Sequence, residues 1–76
     1  MNIEKIINSW DPYSLFSFAP KDEYNDEICK IENFVKKNRD VEALSKYLGL
    51  IFDTGIIFEE EKKDFLKIAK IILGLD

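Results

Sequence analysis

Apolar side chains recur at three- and four-residue intervals along almost the whole chain, a spacing that suits helices and almost nothing else. Ile3, Ile6, Ile7 and Trp10 follow the i, i+3, i+4, i+7 rule and predict a short helix over about residues 2–9. Tyr24, Ile28, Ile31, Phe34 and Val35 predict a second, capped by Asp22 or Asn25 and running to about Lys37. Acids crowd its first turn and Lys36 and Lys37 close its last, which suits the helix dipole at both ends. Val41, Leu44, Tyr47, Leu48, Ile51 and Phe52 share one face of a third helix, with Asp40 as its cap. Over about Glu60–Leu73, Phe65, Ile68, Ala69, Ile72 and Leu73 point inward and Lys62, Lys63, Lys67 and Lys70 outward, with Gly74 as the stop.

The punctuation between these stripes is equally local. In Trp10-Asp11-Pro12, Asp11 reads as an N-cap and Pro12 as a first helical residue, predicting one helical turn over Pro12–Phe16. Trp10 and Leu15 then occupy the two positions of a hydrophobic staple. Gly49 falls inside the third helix, where a close crossing by a neighbour would explain it, and Gly55 reads as that helix's left-handed stop. Ile56-Ile57-Phe58 has no partner strand and reads as a buried linker. The expected architecture is all-α: a small up-down-up bundle of three main helices, plus a short N-terminal helix and a Trp-Asp-Pro helical turn.

Composition sets the scale. At 76 residues, 46 % hydrophobic with six Phe, three Tyr and one Trp, the chain has one core's worth of apolar bulk and is expected to form one domain over residues 1–76. No apolar run approaches the ~18 residues of a membrane helix, and the N-terminus lacks a signal-peptide pattern, so a cytosolic protein is expected.

Catalytic signals are sparse. The chain has no histidine, which removes the usual general base and imidazole ligand. Cys29 is the only cysteine, so no internal disulfide or thiolate metal cage forms; beside the core stripe it reads as a small buried side chain. Ser9, Ser14, Ser17 and Ser45 have no activating base, and three glycines make no phosphate-cradling loop. No enzyme activity, cofactor or metal is expected.

Charge is unevenly placed. Residues 1–32 carry seven acids and three bases, residues 33–76 eight of each, so the whole net charge of −4 belongs to the first part. That surface repels nucleic acid and anionic lipid and admits a basic partner. Asp22/Asp26 and Glu23/Glu27 stand four residues apart, as on one helical face, complementing the helix dipole, offering contacts to a basic partner, or offering oxygen ligands to a hard cation, for which no loop of defined ligand positions is present. Glu59-Glu60-Glu61-Lys62-Lys63 reads as a solvated helix opening with i, i+4 pairs such as Glu59–Lys63. The rings of Trp10, Tyr13, Phe16, Phe18 and Tyr24 are denser than a staple needs, and any left exposed beside the acids become recognition anchors.

These segments also carry a resemblance. Trp10-Asp11-Pro12 with Leu15, then Ala19-Pro20, Asp22-Glu23-Tyr24, Glu27-Ile28 and Ile31, and later Leu44, Ile51-Phe52 and Ile68-Ala69, resemble the YugE-like proteins, domain of unknown function 1871. The family commonly has Asp-Pro after the tyrosine, where this chain has Asn25-Asp26, which still leaves a cap followed by a first helical residue. The resemblance implies a small helical bundle and no activity.

The functional expectation is a non-enzymatic protein-binding module. Its acidic, aromatic-rich first half (Trp10, Tyr13, Asp22, Glu23, Tyr24, Asp26 and Glu27) would contact a partner protein. An immunity protein or antitoxin facing a basic toxin is one form of that role. A self-associating structural or regulatory subunit is the alternative, the chain being a monomer or weak homo-oligomer. Neither nucleic acid nor membrane is an expected partner.

Overall fold

Each apolar stripe becomes one buried helix face. The computed structural model describes residues 3–14 and 23–75. Among these are four α-helices and no strand: α1 (Ile3–Trp10), α2 (Asn25–Lys37), α3 (Val41–Ile51) and α4 (Phe65–Leu73), with a 3₁₀ turn at Glu60–Lys63 before α4. They pack as a small all-α bundle in which α3 and α4 make the most extensive contact. Ile7, Ile31, Leu44, Leu48, Ala69 and Ile72 are wholly buried at its centre, one or more from each helix. Five of these are large aliphatic residues, each contributing about 1.5–3 kcal/mol by leaving water.

Helix ends follow local chemistry. Asp40 caps α3, its carboxylate accepting the Ala43 N–H at 3.1 Å. Gly74, at φ 75°, ends α4 in the left-handed region, and the Leu75 N–H returns to the Lys70 carbonyl at 2.8 Å. Arg39 Nη2, in the α2–α3 connection, reaches the Leu73 carbonyl at 3.5 Å.

Several expectations are corrected. Asp11 does not start a helical turn: at φ 44° it terminates α1, its N–H donating to the Ile7 carbonyl at 2.9 Å. Asp11–Ser14 is a tight turn closed by the Ser14 N–H on the Asp11 carbonyl, and Leu15 and Phe16 lie outside the described residues. An N-cap needs extended backbone, which Asp11 gives up so that its carboxylate can meet Tyr24. Tyr24, rather than Asn25, holds the N-cap position of α2, with no side-chain cap; Asp22 lies outside the described residues.

α3 stops before Gly55. Phe52, 1 % exposed, turns into extended backbone to reach the core, and Gly55 is not at positive φ. Its N–H instead donates to Asp53 Oδ1 at 2.9 Å within a turn that ends in buried Ile57. Around Ile57 the linker is not buried: Ile56 is 46 % exposed and Phe58 80 %. The fourth stripe is two elements, because the Asp64 carboxylate accepts the Lys67 N–H at 3.1 Å and starts α4 afresh. The tighter 3₁₀ winding pairs Glu59 with Lys62 (2.8 Å) and Glu60 with Lys63 (3.0 Å), three residues apart rather than four. At Gly49 an added Cβ would meet the Phe65 ring at 3.6 Å, ordinary contact, so no backbone crossing demands the glycine. Cys29 is exposed, since α2 turns Ile28 and Ile31 inward and carries its neighbour outward.

Candidate functional site

The Trp-Asp-Pro segment and the start of α2 do meet, but as a knot that closes the bundle. Tyr24, 1 % exposed, donates its phenol O–H to Asp11 Oδ1 at 2.6 Å and accepts the Tyr13 N–H at 3.0 Å. Tyr13 Oη in turn accepts the Asp53 N–H at 2.7 Å, joining this turn to the end of α3. Trp10 donates its indole N–H to the Lys62 carbonyl at 3.0 Å. Lys62, expected to point outward, folds back: its Nζ donates to the Asp11 carbonyl (2.9 Å) and Ser14 Oγ (3.1 Å) while pairing with Glu59.

Around this knot the rings interlock edge to face. Trp10 meets Phe52 at 5.1 Å and Phe65 at 5.9 Å between centroids, and Phe52 also meets Tyr13 and Tyr24. Burial and the O–H bond to Asp11 together push the Tyr24 phenol well above the ordinary tyrosine range. The Lys62 ammonium beside Glu59 holds that carboxyl below the usual carboxylate range. A phenol so held neither gains nor loses a proton near neutrality; it fixes Asp11.

Of the residues expected to contact a partner, Trp10 and Tyr24 are therefore inside the core, and Tyr13 is half-buried with its hydroxyl engaged. Burying these rings is how a chain this short builds its core, leaving none of the three as a free anchor. Phe16 and Phe18 lie outside the described residues. Glu23 and Asp26 are exposed, whereas Glu27 is half-buried, with Oε1 lacking a hydrogen-bond partner. Glu23 and Glu27 do not share a helical face, because α2 begins only at Asn25, and Asp22 lies outside the described residues. Among the described residues no three acids or thiols converge as metal ligands, and no described helix is long and apolar enough to cross a membrane.

The exposed aromatic lies elsewhere. Phe58, 80 % exposed, and Ile56 lie in the segment joining α3 to α4, while Leu50 near the end of α3 (82 %) and Leu66 at the start of α4 are also in water. Exposed acids flank them: Asp53 on one side, Glu59, Glu60 and Glu61 on the other. An exposed ring with exposed acids on either side in sequence thus exists, some thirty-five residues beyond the position the sequence suggested. The readable signal was Phe58 followed directly by three glutamates, which the helical reading absorbed into a helix opening. No protein-family model, curated protein or solved structure matches the chain.

Proposed function

We propose that this chain is a non-enzymatic protein-binding module whose anchor is Phe58, within the acid-edged apolar surface of the α3–α4 connection. The observation that carries this reading is a phenylalanine left 80 % in water by a protein that buries Trp10, Tyr24 and Phe52. Large apolar groups held out of a core and ringed by charge are the ordinary material of an interface. The partner that suits it offers an apolar pocket with basic edges, and the exposed acids Glu23 and Asp26 add long-range attraction for such a partner.

Neutralisation of a basic toxin or nuclease domain is the specific form of this role proposed for the acidic chain. The resemblance of Trp10-Asp11-Pro12 and Asp22-Glu23-Tyr24 to the YugE-like proteins belongs to the same proposal and brings no activity with it. So does a cytosolic setting, where lone Cys29 stays reduced.

Affinity capture from native cytosol, with wild type and Phe58→Ser as parallel baits, tests the reading. The expected outcome is a specific protein retained by the first bait, lost from the second, and weakened by salt. Equal capture by both baits would overturn Phe58 as the anchor.

A further inference from the structure

The molecule carries its own example of the pocket that Phe58 calls for. Between α1 and α4 lies an open groove of about 430 Å³, floored by Ile6, Trp10, Ile68 and Ile71 and edged by Lys5 and Lys67. Ile6, Ile68 and Ile71 are only half-buried, so apolar surface faces the groove. The groove's lining carries Lys5 and Lys67 and no acid, and from Phe65 to Leu75 there are two exposed lysines, Lys67 and Lys70, and no acid. Although Lys62 and Lys63 pair with Glu59 and Glu60, residues 53–64 carry five acids against two lysines, so the exposed ring and its flank complement the basic-edged apolar groove in both hydrophobicity and net sign.

We infer that Phe58 and its acidic flank on one copy seat in the α1–α4 groove of a second copy. The inference rests on the protein-binding reading of Phe58 and names the partner. Knob and groove are different surfaces, so the contact is head to tail and leaves a free knob at one end and a free groove at the other. One aromatic anchor gives an interface far smaller than a permanent dimer needs, so association is weak and grows with concentration, adding copies in sequence.

Two variants at exposed positions, Phe58→Ser and Lys67→Glu, test this by sedimentation, with circular dichroism confirming that both stay folded. Wild-type mean mass is expected to rise up to about 1 mM and to fall back in high salt. Each variant alone is expected to remain monomeric. Mixed, they are expected to form a one-to-one pair and stop there, because the first keeps an intact groove and the second an intact knob. Trp10, the chain's single tryptophan, lies in the groove floor, so its emission shifts on pairing. A wild type that stays monomeric, a variant that associates as wild type does, or a mixture that stays monomeric would each overturn the inference. If wild type is monomeric while cytosolic capture still depends on Phe58, only self-association falls; if capture ignores Phe58, the underlying reading falls as well.

Discussion

The hydroxyl of Tyr24 does more for this fold than its ring position suggests. It gives a hydrogen bond to a carboxylate and receives one from a backbone N–H, both around the turn that follows α1. Tyr24→Phe keeps the ring and removes both bonds, and is expected to cost about 2 kcal/mol in urea unfolding, since bonds to charged groups are worth ~1.5–3 kcal/mol. Burial of the phenol, together with its bond to Asp11, has a pH signature. Because the folded phenol ionises above its ordinary value of 10.0, the unfolded chain loses its proton first. Stability is whole below that pH and falls as pH rises beyond it, and Tyr24→Phe should flatten that alkaline decline. Glu59 runs the other way: its lowered ionisation stabilises the fold above the ordinary carboxylate value and is lost on acidification. At this scale the sequence was half legible. The period placed Tyr24 on the buried stripe of α2, yet its density with other rings suggested an exposed patch. Only the fold shows that Asp11 draws it inward, and that Phe58, within an apolar triplet, is turned out.

Helices were the most legible level, because a three-to-four-residue apolar repeat and an Asp or Gly at its end depend on neighbours alone. α1, α2 and α3 and the caps Asp40 and Gly74 lie where periodicity placed them. The break at Asp64 was hidden because the charges of residues 59–63 satisfy a helical pattern whether the winding is α or 3₁₀. Asp64→Ala is expected to destabilise by about 1 kcal/mol through loss of the α4 cap, read as a lower urea midpoint at unchanged slope. Gly49→Ala should do the opposite. The new methyl meets Phe65 at ordinary contact distance in helical backbone, so a gain of about 0.5–1 kcal/mol is expected. A loss on that substitution would show that the Phe65 ring cannot accommodate the methyl.

Across the whole molecule, the bundle is tied by contacts between its first and last parts, which no local pattern announces. Lys62 holds the Asp11 carbonyl and Ser14 from fifty-one and forty-eight residues away, and the Trp10 indole holds Lys62 from fifty-two. Lys62→Met should therefore cost about 1–2 kcal/mol and speed hydrogen exchange at the Tyr13 and Ser14 amides, well beyond what a solvated lysine would. Trp10 packs against Phe52 and Phe65, so its fluorescence should unfold together with the helical dichroism; separate transitions would show that α1 leaves the bundle alone. The span of the Trp10–Lys62 tie also bears on how the chain is made. During translation α1 can already pack on α2, but its indole finds no acceptor until Lys62 has been added and has left the ribosome. The α1–α2 contact can therefore form first, and the knot around Trp10 and Asp11 locks only after the residues following α3 have emerged.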